Sequence, residues 1–173
     1  MMLDLLKQRR SIRKHEDKAV EKEKLDIILK SALLSPSSRG IRPWEFIVVT
    51  DKDVLKTLSQ CKEHGSQFLE DAPLGIVLIA DSQASDVWVE DVSIASTIIQ
   101  LAAQSLGLGS CWIQVRKRKT SDERNAEEYI KEVLDIPEGY SVGNIIAIGY
   151  PTENKKAYSE DTLLYDKVHI NKY

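Results

Sequence analysis

A chain of 173 residues, with 42% hydrophobic and 29% charged side chains, has the size and make-up of a single folded domain spanning 1–173 and not of a disordered polymer. A formal charge of −3 gives little of the positive field on which binding to DNA or RNA draws. No apolar run approaches the ~20 residues that cross a bilayer, and no basic region followed by an apolar stretch and cleavage site opens the chain. The two cysteines, Cys61 and Cys111, are too few for a disulfide framework and too far apart for a CxxC pair, so reduced thiols and a cytoplasmic location are expected.

In chain order, Leu25, Ile28, Leu29, Ala32 and Leu33 fall at helical spacing between the charged run ending at Lys24 and Pro36, and predict an amphipathic helix. The β-branched runs 45–50 (EFIVVT) and 74–81 (LGIVLIAD) read as strands, with a helical stripe of Val54, Leu55, Leu58 and Cys61 between them. Residues 86–106 form the longest helical pattern, apolar on several faces and followed by Gly107. Such a helix must be covered on more than one side, which points to the sheet on one face and a second subunit on another. A strand is predicted over 109–115 (GSCWIQV). Thr120 and Glu123 have the spacing of a capping box, which predicts a helix running to about Leu134. The last strand is expected at 142–150 (VGNIIAIGY). Beyond Pro151 the chain is polar and irregular, with Tyr158, Tyr165 and Tyr173, and reads as an arm on the surface or across a partner.

There is no Walker A loop, GxGxxG, HExxH or GxSxG, and His15, His64 and His169 are scattered, so metal and triad chemistry have no evident home. Gly107 and Gly109 precede a strand instead of opening a helix, which disfavours a Rossmann site. Arg9-Arg10-Ser11-Ile12-Arg13 places three guanidinium groups and a hydroxyl within five residues. Forked donors at that density suit a phosphate or a planar anionic heterocycle, although a basic turn facing water is the plainer reading. The loop 35–44 (SPSSRGIRPW) carries Arg39, Arg42 and Trp44; it reads either as a ligand wall or as a Pro-shaped connection with Trp44 plugging the core.

The opening RRSIR, the loop SPSSRGIRPWEFIVV, the run LAAQSLGLGSCWI and the closing IIAIGYP occur in the order and approximate spacing of the nitroreductase family, and the chain resembles that family over nearly its whole length. The resemblance implies an α+β fold, an α/β/α sandwich around a mixed, mostly antiparallel sheet, assembled as an intertwined homodimer with FMN at the interface. It implies that Arg9 and Ser11 hold the FMN phosphate and ribityl chain, with Arg10 close by and Arg13 at the pyrimidine edge of the ring. Pro36, Ser37 and Ser38 would pack on the flavin from the partner subunit, with Arg39 and Gly40 near the open face. Trp112, Ile113 and Gln114 would lie beside flavin N5, and Lys155 and Lys156 would supply a phosphate contact. The implied reaction is ping-pong, with hydride passing from NAD(P)H through flavin N5 to a small acceptor such as a nitroaromatic or quinone, so no catalytic side chain is required. A dehalogenase-like or flavin-binding relative without general NAD(P)H reductase activity is the alternative. Gly40, Arg42 and His15 stand where Asn, Gln and Phe are frequent in the family.

Overall fold

The computed structural model describes residues 1–173, in which α1 (Met2–Gln8), α2 (Lys22–Leu33), β1 (Trp44–Val49), α3 (Lys52–Ser59), β2 (Leu74–Asp81), α4 (Trp88–Ser105), β3 (Gly109–Gln114), α5 (Ala126–Val133) and β4 (Tyr140–Gly149) follow one another. Strand β2 is buried on both faces, and its alternation shows why. Leu74, Ile76, Leu78 and Ala80 join one apolar cluster with Ile28 and Ala32 of α2 and Ala95, Ile99 and Ala103 of α4. Val77 and Ile79 join the other, with Leu55 and Leu58 of α3 and Ala126 and Ile130 of α5. The result is helix, sheet, helix in three layers.

The four strands run in the order β1-β2-β4-β3, and every pair is antiparallel. The parallel component of this chain is a single bridge between Ser11 and Ser110. A register shift lies in the β2–β4 pair, where Leu78 faces Asn144 and Ile79 faces Val142. The bulged residue is Gly143, and this one extra residue on β4 sends Val142 and Ile145 to the same cluster while turning Asn144 toward Ser96 of α4. A Cβ at Gly143 would lie 2.5 Å from Val92, so the bulge also lets α4 approach the sheet.

Two elements differ from expectation. The Thr120–Glu123 capping box does not start a helix: Glu123 has φ of 65°, and the Thr120 side chain accepts the Arg124 N–H to close a turn. The helix begins at Ala126 because Asn125 caps it, accepting from the Glu127 N–H at 2.8 Å. The final strand starts at Tyr140, earlier than Val142, since Tyr140 and Ser141 extend the pairing with Asp81 and Ala80.

Helix α4 is buried along one side, while Ile94 is 40% exposed. Beside it α1, which has no buried residue, exposes Met2, Leu3 and Leu6, and α2 exposes Ile27 and Leu33. From Leu163 to Tyr173 the backbone hydrogen bonds are local, and Leu163, Leu164, Tyr165, Val168, Ile170 and Tyr173 are all exposed. No helix is long and apolar enough to cross a membrane.

Candidate functional site

The segment after α1 is held against β3 at its start. The Ile12 N–H donates to the Ser110 carbonyl at 3.0 Å, and Gly109 leaves room for the Ile12 side chain. Further along, the segment pairs with the chain that leaves β4. The Glu16 N–H donates to the Tyr150 carbonyl at 2.8 Å, the Thr152 N–H to the Lys14 carbonyl at 3.0 Å, and His15 bridges Pro151. Lys155 donates to the Ser11 carbonyl, and Arg10 donates to the Lys156 carbonyl while lying 4.4 Å over the Tyr158 ring. Residues 10–16 and 150–156 therefore form a latch beside the sheet.

This latch gathers the predicted cations. Burial raises the Cys111 thiol on β3 above its ordinary pKa, and Arg13, the Ser11 hydroxyl, Lys155 and Arg9 oppose that rise. Lys155, from beyond β4, thus meets the arginine segment where Ser11 bridges Ser110 of β3. Arg13 also lies 5.6 Å over the Phe68 ring. Lys156 is exposed.

Pro36, Ser37, Ser38, Arg39 and Gly40 lie elsewhere, in the turn between α2 and β1. Arg39, Gly40 and Arg42 all have left-handed φ values, of 53°, 66° and 54°. A non-glycine residue there costs ~1–2 kcal/mol, so the loop needs external support. Ser37 accepts the Arg42 N–H at 2.8 Å, and Arg39 pairs with Asp86. The main support is Asp91 in the first turn of α4, which is 2% exposed and accepts the Ser38 N–H at 2.8 Å and the Ser85 hydroxyl at 3.1 Å. Sequence reasoning missed Asp91, because an acidic residue at a helix start reads as complementing the helix dipole. Asp91→Ala is expected to cost ~1–3 kcal/mol in urea unfolding, the penalty for stranding a buried donor, and to speed proteolysis within 36–42.

Trp112 and Gln114 share one side of β3, and the Trp112 indole N–H donates to the Gln114 side-chain oxygen at 3.0 Å. Ile113 points the other way into the core. Trp44 is 6% exposed and stacks against Phe46 with ring centres 5.2 Å apart, so it plugs the core and is no ligand wall. No hydrogen bond or ion pair joins the 36–40 loop to the latch, and none of the larger hollows is lined by both. A groove of about 430 Å³ beside Arg13 is walled by Lys14, His15, Lys52, Glu70 and Asp71 among others. The chain presents two separate halves of the predicted site.

His15 is a second departure with a physical cost. Neither ring nitrogen makes a well-formed hydrogen bond although both are buried. Burial lowers its pKa from 6.5, and the Gly149 backbone, Glu153 and Asp71 offset this only in part. A base with a lowered folded pKa takes up protons more readily when unfolded, so its contribution to stability is complete above pH 6.5 and falls as pH drops toward the folded value. His15→Phe is expected to raise stability by on the order of 1 kcal/mol at neutral pH. It should also flatten the loss below pH 6.5, as read by thermal melts across pH.

The profile described as the nitroreductase family matches residues 6–64 and 56–150. The chain belongs to the nitroreductase family. Among solved structures it is similar to an FMN-dependent nitroreductase from Clostridium difficile R20291, at 59% identity and a TM-score of 0.98, covering 99% of this chain and 100% of that one. A structure from Parabacteroides distasonis assigned as an NADH dehydrogenase/NAD(P)H nitroreductase is 32% identical with a TM-score of 0.89, covering 99% and 98%. A protein from Archaeoglobus fulgidus with the same assignment is 39% identical over 99% of this chain and 98% of its own length. The nitroreductase sandwich is thus the fold of this chain.

Proposed function

We propose that this nitroreductase-family chain is an FMN-dependent oxidoreductase that moves hydride from NAD(P)H to a small acceptor such as a nitroaromatic or quinone, as a cytoplasmic homodimer. The observation that carries this reading is the seating of the arginine segment on β3, where Ser11 bridges Ser110 and the Ile12 N–H donates to the Ser110 carbonyl, with Lys155 brought in to the Ser11 carbonyl. The donor set fits FMN: permanent cations and a hydroxyl suit its phosphate, and an aromatic strand residue suits its ring. The acid in their midst, Glu153, is already engaged by backbone N–H groups.

When bound, FMN supplies the redox chemistry, accepting two electrons and a proton as hydride and passing them on in ping-pong order. The chain's part is to bind, orient and tune. Arg9 and Ser11 hold the phosphate and ribityl chain, with Arg10 beside them. Lys155 donates to the Ser11 carbonyl and faces Glu153 at 3.5 Å, which leaves one of its three ammonium N–H groups for phosphate, and Lys156 adds charge at the rim. Arg13 sets positive charge at the pyrimidine edge, where reduced flavin is negative. Trp112, Ile113 and Gln114 offer strand backbone beside N5.

Pro36, Ser37, Ser38, Arg39 and Gly40 close the site from the partner subunit, which accounts for their separation from the latch in one chain. The exposed apolar side chains of α1, α2, α4 and the terminal arm supply the surface for such a dimer. Sedimentation should give the mass of two chains; a monomer at micromolar concentration contradicts the shared site.

The deciding experiment is the visible spectrum of the purified protein before and after anaerobic NADH and NADPH. A yellow protein bleached by either supports the reading. Yellow colour without bleaching supports the specialised flavoprotein instead, and a colourless protein that takes up no added FMN overturns both.

A further inference from the structure

Glu153 is the carboxylate that shares the cationic latch. Its Oε1 accepts the Arg13 N–H at 2.5 Å and the Lys14 N–H at 3.3 Å, and lies 3.5 Å from the Lys155 ammonium. Its side chain is 23% exposed, so solvent screens this charge only in part. The Arg13 N–H, with help from Lys155, holds the carboxyl below the usual carboxylate range against a penalty from burial. No other side chain accepts from the backbone of the 9–14 segment.

We infer that Glu153 is a positioning residue with two separable effects: its oxygen fixes the backbone from which Arg13 projects, and its charge offsets part of the positive field acting on the flavin. The inference rests on the proposed FMN site. The first effect needs only an acceptor atom, which an amide oxygen also provides through its two lone pairs. The second needs the negative charge. Glu153→Gln keeps the first and removes the second, whereas Glu153→Ala removes both.

The opposing consequences give the test. Reduced flavin carries more negative charge than oxidised flavin, so a carboxylate nearby disfavours reduction. In Glu153→Gln the midpoint potential should rise, with FMN bound as tightly as in the native protein or more so. A tenfold gain for the reduced form corresponds to ~30 mV in a two-electron couple. In Glu153→Ala the released Arg13 backbone should weaken FMN binding about tenfold or more, because hydrogen bonds to a charged acceptor are among the stronger kind. Its potential should fall below that of the Gln variant, since Arg13 is no longer held at the ring.

Flavin-stripped native protein and both variants would be titrated with FMN by fluorescence quenching, and their potentials measured by anaerobic photoreduction against a reference dye. Thermal melts would accompany both measurements. Equal weakening of FMN binding in both variants, tracking their loss of thermal stability with no change in potential, would mean a structural role only and overturn the inference. Variants indistinguishable from a native protein that does bind FMN would overturn it as well, leaving the flavin reading intact. A native protein that takes up no FMN would instead remove the flavin reading on which it rests.

Discussion

Gly109→Ala is expected to damage both stability and flavin binding, although residue 109 carries no side chain toward a ligand. An added Cβ would lie 2.7, 2.8 and 2.9 Å from Ile12 Cγ2, Cβ and Cγ1. Those atoms sit on a β-branched side chain that cannot swing its near end away, so the backbone must move. Ile12 is 7% exposed, and its N–H to Ser110 is the bond that seats the arginine segment on the sheet. Overpacking of this kind costs ~1–3 kcal/mol. Urea unfolding should show that loss, and titration with FMN should show at least a tenfold weaker complex, because Arg9, Ser11 and Arg13 are displaced together. Native affinity in a folded Gly109→Ala protein would show that the segment adapts independently of its seat.

The second large effect is expected from Arg13→Ala. In the proposed site Arg13 makes a charge-assisted contact to the flavin, and losing it would cost ~1.5–3 kcal/mol, roughly 10- to 150-fold in affinity. The midpoint potential should move downward, because a fixed cation at the pyrimidine edge favours the reduced form over the oxidised one. Arg13→Lys should recover part of the potential but less of the affinity, as a point charge replaces a planar fork. An unchanged potential in Arg13→Ala would remove the tuning role while leaving Arg13 a binding residue.

Much of the architecture was legible in the sequence, for reasons that particular residues show. Leu74–Asp81 is bounded by Pro73 at one end and Asp81 at the other, and the strand occupies that interval. The helix at Trp88–Ser105 ends beside Gly107, whose φ of 76° terminates the turn. The five-residue error at α5 arose because Thr120–Glu123 and Asn125 both offer capping chemistry. Only the apolar face of Ala126 and Ile130 meets the core, and that choice is tertiary. At the site, arginine density in 9–13 was visible, but its seat on β3 and its pairing with 150–156 depend on contacts between residues about a hundred or more positions apart. Asp91 and Glu153 were missed for the same reason: a carboxylate accepting backbone N–H groups from a distant loop leaves no local pattern. The separation of the 36–40 loop from the latch could not be read from spacing either, since order along the chain does not fix which loops meet in space.

The strand order has a consequence for the making of the protein. β4 lies between β2 and β3 yet is the last strand synthesised, so β3 has no strand partner until residues 144–149 have been added. The arginine segment, made well before β4, likewise waits for residues 150–156. A nascent chain stopped short of that point holds an open two-stranded sheet of β1 and β2, with an apolar edge exposed on β2. Closure then brings residues 10–16 to residues 150–156, a step that carries the entropy of a long loop. The latch therefore closes late in folding, and under the proposed function removal of residues 150–156 should abolish flavin capture before it abolishes helix content.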